Sequence, residues 1–381
     1  MNSHPGNAMR MVSIFTRIPL RAISLLSSKS RWNDFEGPSR SSGERRIPVP
    51  GTYKDIQKRT GLSLSTISKY FNGGHLREEN RSAIEKAIRD LDFRVNAFAR
   101  SLKSRRSGTI GILIPELSST FNSTIMERVC ETLRKHGYGS IVCTCNGRKD
   151  AEKSSLSFLL DKMVDGIITI PIDESGTYLK AISDQNVPIV LIDHLATDFK
   201  TDAVIVNNRE AGRTAAREFL SHGHTSLGIL CGPKEMDTMR LRSEGFIETL
   251  KGAGGQAFAK YCQLTLQSGY IAAKSLLTPR SNTDTITGIF CTNYELTLGA
   301  YIAIQELHKR IPEEISVIGF DNMLLSGILQ PSLTMIIQPV EKIADTAAEL
   351  MLKRLADPEN KKIRIAELRT QLLHGSSVAP L

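Results

Sequence analysis

Aromatic residues are scarce in this chain, 6% of 381 residues with a single Trp, and the fingerprints of catalysis are missing altogether. There is no Gly-x-Ser-x-Gly, no Gly-x-x-x-x-Gly-Lys-Ser/Thr and no His-Glu-x-x-His. A serine raised on a strained elbow, a phosphate-cradling loop and a helix-borne zinc pair are thus excluded, so the chain reads as a non-enzyme without catalytic residues or cofactor. Cysteine is thin as well. Cys130, Cys143, Cys145, Cys231, Cys262 and Cys291 are scattered, and a chain this long closes its core without disulfides. Cys143 and Cys145 alternate as in a strand, and no second pair stands at zinc-ligand spacing, so no metal site is expected. The other metal-like string, His222-Gly223-His224, falls in a polar helix-to-strand turn and reads as a surface loop. Long apolar runs are missing from the front of the chain. Val12, Ile14 and Phe15 form a short cluster, and Arg17 and Arg21 interrupt the apolar residues after it, so neither an export signal nor a spanning helix fits and a cytoplasmic protein is expected.

Positive charge is abundant, and it is localised. The formal net charge is +9; residues 51–107 carry 13 Lys and Arg against 6 Asp and Glu, and residues 1–50 carry 8 against 3. The whole excess therefore precedes residue 108. Lys and Arg concentrated in one region point to a polyanion, because released counterions supply most nonspecific affinity for nucleic acid. Residues 1–50, rich in Ser, Gly and Arg towards their end, read either as a disordered basic extension or as a start assigned too far upstream.

From Thr52 the pattern changes to three short amphipathic segments, with apolar residues at Ile56, Leu62, Ile67, Phe71, Leu76, Ile84, Ala87, Ile88 and Leu91. Thr52 can cap a first helix over 53–60, Gly61 can end it, and Ser63 can cap a second over 64–71. Two helices joined at a glycine turn describe a helix-turn-helix. The second helix is expected to expose Leu64, Ser65, Ser68 and Lys69 and to bury Ile67 and Phe71, which places small and polar groups where a major groove is read. An ordinary solvated helix face is the competing interpretation.

Read as strings, TYKDIQKRTGLSLSTISKYFNGG and then NAFARSLKSRRSGTIGILIPEL resemble the lactose/galactose-repressor family. The family's pattern T-x-x-D-V-A-x-x-A-G-V-S-x-x-T-V-S-x-x-x-N is met by Thr52, Asp55, Ile56, Gly61, Leu62, Ser63, Thr66, Ile67, Ser68 and Asn72. Its N-A-x-A-R-x-L is met by Asn96, Ala97, Ala99, Arg100 and Leu102. The resemblance implies that Leu64, Ser65 and Lys69 are variable base readers, and that Tyr53, Thr52, Ser63, Thr66, Ser68 and Asn72 hold phosphates or support the helix. It further implies a hinge helix over 96–103, in which Asn96, Ala99, Arg100 and Lys103 accompany Leu102 wedged into a minor-groove step. A leucine among Arg100, Lys103, Arg105 and Arg106 suits that role, although packing on the neighbouring domain would also accommodate it. One departure is Arg77, standing where the family places Ser or Thr before the third helix.

After Ser107 strands and helices alternate. Strands are expected over 109–114, 140–144, 166–170, 188–192, 227–230, 288–290 and 315–320, a pattern of parallel sheets wrapped by helices. Ligands in such sheets sit at the carboxyl ends of strands, where Asp173, Asp193, Asn293 and Asp321 stand. The family resemblance continues through VDGIITIP, MRLRSEGF, GIFCTN, ISVIGFDN and LTMIIQP. It implies a two-subdomain, periplasmic-binding-protein-like clamshell in which Phe121, Asp173, Arg242, Asn293, Asp321 and Gln338 contact a small polar effector such as a sugar. Asp and Asn at strand ends also serve as ordinary helix caps. Tyr294, where many relatives carry Asp, and the lack of a Trp or Phe between Tyr261 and Tyr270 put carbohydrate specificity in question.

The expected domains are 1–50, the basic extension; 51–95, the helix-turn-helix; 96–107, the hinge helix and linker; and 108–381, the effector-binding and dimerisation domain. The rival function, an exported solute-binding clamshell, would need an export signal and no helix-turn-helix. The expectation is a DNA-binding transcriptional repressor of a catabolic operon, acting on double-stranded operator DNA at the nucleoid as a homodimer, with no leucine-heptad tail in HGSSVAPL.

Overall fold

The computed structural model describes residues 52–71, 73–93, 106–278, 285–321 and 327–381. They divide into two compact units, split between Arg94 and Val95. The basic extension over 1–50 and the expected contacts Asn72, Asn96, Ala99, Arg100, Leu102 and Lys103 lie outside the described residues.

The first unit is three helices: α1 (Tyr53–Thr60), α2 (Leu64–Phe71) and α3 (Glu78–Asp90). Local chemistry sets their ends. The Asp55 carboxylate accepts from the Thr52 N–H and hydroxyl at 2.8 and 2.7 Å, and these bonds hold it below the usual carboxylate range. Gly61 ends α1 at φ +71°, a conformation that would strain any residue with a Cβ. The Ser63 hydroxyl then accepts from the Thr66 N–H to open α2. At α3 the departure at Arg77 is real: no side chain caps that helix, and Glu78 and Glu79 oppose its positive end instead. Ile56, Ile67, Ile84, Ala87 and Phe93 form the small core, joined by Tyr53 stacked on Phe71 with centroids 5.0 Å apart. Arg59 meets Asp90 at 3.1 Å and ties the end of α1 to the end of α3.

The second unit holds two six-stranded sheets, one per lobe. Lobe 1 has the order β11-β5-β4-β3-β1-β2, and lobe 2 the order β12-β10-β9-β8-β6-β7. Their strands are β1 (Thr109–Ile114), β2 (Gly139–Thr144), β3 (Gly166–Thr169), β4 (Ile189–Asp193), β5 (Asp202–Val206), β6 (Ser226–Cys231), β7 (Gln256–Tyr261), β8 (Gly288–Cys291), β9 (Ser316–Phe320), β10 (Thr334–Ile337), β11 (Ile365–Leu368) and β12 (Gln371–Leu373). All neighbours are parallel except β10 and β12. Five of them, β5, β7, β10, β11 and β12, go beyond the strands expected from the sequence. Lobe 1 is covered by α4 (Thr120–Lys135), α5 (Lys149–Asp161), α6 (Thr177–Ser183) and α11 (Val340–Ala356). Lobe 2 is covered by α7 (Asn208–Ser221), α8 (Asp237–Gly252), α9 (Leu266–Leu277) and α10 (Tyr294–Glu306). Continuously apolar strands such as β3 and β9 are buried on both faces, and each sheet lies between two apolar clusters.

The chain crosses between lobes after β5, after β10 and after β11. Asn207 pins the first crossing to the third: its N–H donates to the Leu368 carbonyl at 3.1 Å, and its amide oxygen accepts from the Thr370 N–H at 3.1 Å. Lobe 2 also contains unusually close helix contacts. A Cβ on Gly212 of α7 would lie 2.0 Å from the Arg242 carbonyl oxygen, and one on Gly245 of α8 would lie 2.0 Å from that of Arg209. These two glycines let α7 and α8 cross backbone to backbone.

Candidate functional sites

On α2, Leu64, Ser65 and Lys69 are exposed, Ser68 and Thr66 half-buried, and Ile67 buried; Phe71, expected to be buried, is only half-buried, although its ring packs on Tyr53 and Phe93. Leu64 is 41% exposed, a large apolar side chain left in water on this helix. Ser63, Ser65 and Thr66 share hydroxyl contacts of 2.8 Å, gathering three donors at the start of the helix. Thr52 is exposed beside them, its hydroxyl on Asp55. Tyr53 contributes its ring to packing, which leaves only its hydroxyl end for a partner.

The second assembly lies where the lobes face each other. Arg242, on the buried side of α8, is 2% exposed. Its Nε donates to Asn208 Oδ1 at 2.7 Å, one terminal nitrogen donates to the Thr292 carbonyl at 2.8 Å, and its plane lies 3.7 Å over the Phe320 ring. Asp321 follows β9 and Asp193 ends β4, both with positive φ, 61° and 76°, a conformation that Asp tolerates better than most residues. Burial pushes the Asp321 carboxyl up to about 6, although Arg242 and a 2.8 Å hydrogen bond from Gln338 Nε2 pull the other way. Asp193 behaves oppositely: against its burial, His194 and Arg242 hold its carboxyl below the usual range. His194 offers one ring nitrogen to Asp193 at 3.3 Å and the other to the Pro171 carbonyl at 2.7 Å. Both partners are acceptors, and despite burial the pKa of the imidazole is raised, foremost by Asp193.

The expected ligand residues thus separate. Arg242, Asp321 and Gln338 converge. Asn293 is engaged as the cap of α10, accepting from the Leu296 N–H at 3.0 Å and donating to Glu295. Asp173 is held by Lys149 at 2.9 Å and Ser175 at 2.6 Å, and Phe121 packs partly buried against the lobe 1 core. Asn208, Thr292, Phe320 and His194 complete the site and were not anticipated; Asn208 reads in sequence as one more polar residue at a helix start. His224 corrects an expectation. It is buried, with contacts of 2.9 Å to Thr287 Oγ1 and to the Ala379 carbonyl, so it anchors the tail rather than sitting in a surface loop. Among the described residues no group of His, Cys, Asp and Glu could hold a metal ion. A cavity of about 1070 Å³ at the base of lobe 1, beside Arg106, Lys200 and Arg354, is remote from this chemistry. Its main polar groups are already occupied, Arg354 by Asp202 and Asp165 by the amides of Ser107 and Gly108.

A family described as periplasmic binding protein-like domain matches residues 216–378. The HTH-type transcriptional repressor PurR of Aliivibrio salmonicida is 30% identical over 341 residues, covering 87% of this chain and 99% of that protein. The chain belongs to the LacI/GalR family. It is a DNA-binding transcriptional regulator, and its relatives are repressors rather than enzymes. A LacI family regulator from Enterococcus faecium, solved with bound ribose, is 29% identical with a TM-score of 0.64, covering 72% of this chain and 99% of that one. The Lac repressor dimer bound to operator and the anti-inducer ONPF shares the fold, with a TM-score of 0.77 at 24% identity over 87% of this chain and 100% of that one. No helix among the described residues of this LacI/GalR regulator is long and apolar enough to cross a membrane.

The raised Asp321 predicts a pH signature for the regulator. A folded value near 6 against an unfolded value near 3.8 means that the folded state binds the extra proton between these limits. Stability from this group is therefore fullest below about pH 4 and falls as pH rises through about 6. Asp321→Asn should flatten the dependence of the melting temperature on pH over that interval; an unchanged slope would assign the titration elsewhere.

Proposed function

We propose that this regulator represses a catabolic operon by docking α2 of a homodimer on each half-site of its operator, at the nucleoid in the cytoplasm, under control of a small polar effector held between the lobes. The domain division is the one drawn from the sequence, with residues 96–107 linking DNA-binding unit to clamshell and 108–381 holding both effector and partner. The observation that carries the reading is the α2 face, where exposed Leu64, Ser65 and Lys69 project from a helix anchored at Ser63 and Ile67. Lys69 supplies donors to guanine O6 and N7, Leu64 touches a thymine methyl, and the hydroxyls of Thr52, Ser63, Thr66 and Ser68 hold phosphates. Tyr53, Asn72, Asn96, Ala99, Arg100 and Lys103 extend that footprint, and Leu102 wedges the minor groove. One such unit buries too little surface for tight binding, which is why two are required.

Arg242, Asp321 and Gln338, together with Phe121, Asp173 and Asn293, are assigned to the effector. The ribose bound by the Enterococcus faecium relative supports a sugar or sugar derivative. Ligand closure alters the separation of the two linkers and so the formation of the Leu102 helices, a coupling of roughly 1–3 kcal/mol. The test is fluorescence anisotropy of full-length protein on its own upstream region. Lys69→Ala should weaken binding there about 10- to 150-fold and leave random-sequence DNA within a fewfold. Equal losses on both DNAs would reduce Lys69 to a phosphate contact, and no binding at low ionic strength would overturn the proposal.

A further inference from the structure

Two successive glycines close the end of α2, and they are glycines for different reasons. The Gly73 N–H donates to the Tyr70 carbonyl at 3.1 Å and the Gly74 N–H to the Lys69 carbonyl at 2.8 Å, the paired bonds of a Schellman cap. Gly73 stands at φ +72°, which a residue with a Cβ adopts only under strain, yet a Cβ there would meet nothing within 4 Å. Gly74 is the reverse case. Its φ lies outside the left-handed region, so the backbone would admit other residues, but a Cβ would lie 2.5 Å from Lys69 Cγ and 3.2 Å from Lys69 Cε. The stem of Lys69 occupies the space in which a side chain at position 74 would begin.

Schellman caps commonly close with an apolar contact between these same two positions, and here the methylenes of a lysine make it against bare backbone. The contact fixes a side chain that is otherwise loose. Lys69 is exposed, and among the described residues its ammonium joins no ion pair. A lysine in water spreads over many rotamers, and a seated stem narrows them before DNA arrives, which lowers the entropy lost on binding. A Cβ at 74 could not be evaded by swinging the far end of the chain. The position of Cγ is set by the first side-chain torsion, so relieving the collision means a different rotamer and a redirected ammonium.

We propose that Gly74 is a positioning residue for base reading: its missing Cβ seats the Lys69 stem and aims the ammonium, so that operator specificity depends on a residue with no side chain to touch DNA. This deepens the assignment of Lys69 to a base given above and rests on it. Gly73 shapes the turn, and Gly74 sets the direction of the reader.

The test is a double-mutant cycle in full-length protein, read by fluorescence anisotropy on its own upstream region, on that DNA with each base pair of a half-site exchanged in turn, and on random-sequence DNA. Gly74→Ala should weaken operator binding about tenfold, the worth of one misdirected charged contact, and leave random-sequence DNA within a fewfold. In the Lys69→Ala background the same exchange should stay within about twofold, because no stem remains to displace. The base pair whose identity ceases to matter in Gly74→Ala should be the one that ceases to matter in Lys69→Ala. Gly73→Ala is the control: it strains the cap without crowding Lys69, so its effect should be equal in both backgrounds. Thermal melts follow the folding of each variant. If Gly74→Ala unfolds while the chain carrying both Lys69→Ala and Gly74→Ala folds, the collision with the stem is demonstrated; if both unfold, Gly74 serves the cap alone and the inference is overturned. Additive losses on the operator, or relaxed preference at a different base pair, overturn it as well and leave the reading of Lys69 intact. If Lys69→Ala loses nothing on the operator, that reading falls first and the role of Gly74 falls with it.

Discussion

Arg242→Ala should abolish the response of operator binding to effector, leave operator affinity without effector within a fewfold, and lower the stability of the clamshell by about 3–5 kcal/mol. The size of that loss reflects the groups the guanidinium would leave behind. Asn208 Oδ1 and the Thr292 carbonyl lose their donors, and Asp321 and Asp193 remain buried without the cation that faces both. Lys could not substitute, because a tetrahedral ammonium lacks the planar fork whose separate nitrogens reach Asn208 Oδ1 and the Thr292 carbonyl while its face covers Phe320. The loss should also depend on pH. At pH 5 Asp321 takes up a proton and sheds the uncompensated charge, so the variant should approach wild type more closely than at pH 8. Chemical denaturation at the two pH values measures this; a deficit that is equal at both would mean that lost packing, not charge, dominates. An effector response that survives would remove Arg242 from the ligand site.

Gly245→Ala should have the second large effect. Its new methyl carbon would lie 2.0 Å from the Arg209 carbonyl oxygen, and backbone cannot rotate away as a side chain can. The crossing of α7 and α8 must open, at a cost of about 3 kcal/mol or more. Because Arg242 reaches from α8 to Asn208 at the start of α7, the same opening should weaken effector binding without touching a ligand contact. Gly252→Ala in the same helix is the control. Nothing lies within 4 Å of its Cβ position, so the exchange should be neutral or stabilising by up to about 1 kcal/mol. Thermal melts of the pair decide the matter, and two equal losses would refute the steric account.

The parts legible in sequence are those fixed by near neighbours. The ends of α1 and α2 fall where Thr52, Gly61 and Ser63 place them, because caps and a left-handed turn are settled within four residues. Strand β1 is equally plain, six residues of β-branched and apolar character. Strands β11 and β12 were not legible. IAEL and QLL are short and of mixed polarity, and they become strands only by pairing with β5 and β10, far away in the chain. Polar residues at strand ends divide for the same reason. Asn293 and Asp321 look alike on paper, yet one caps the helix after it, while the other is turned by its positive φ towards Arg242. Spacing does not encode that difference, and the raised pKa of His194 likewise arises only when Pro171 and Asp193 are brought to it.

The repeated crossing between lobes has a consequence for biosynthesis. The cluster against which β1, β3, β4 and β5 pack includes Ile343, Ala344, Ala347, Ala348, Leu350, Met351 and Leu355 from α11, and the edge of that sheet is closed by β11. On a ribosome adding ~5–20 residues per second, Val206 emerges on the order of ten seconds before the segment that completes its core. Lobe 1, although nearer the front of the chain, must therefore wait half-built, exposing apolar surface to the chaperones, until the neighbouring lobe has almost entirely been made.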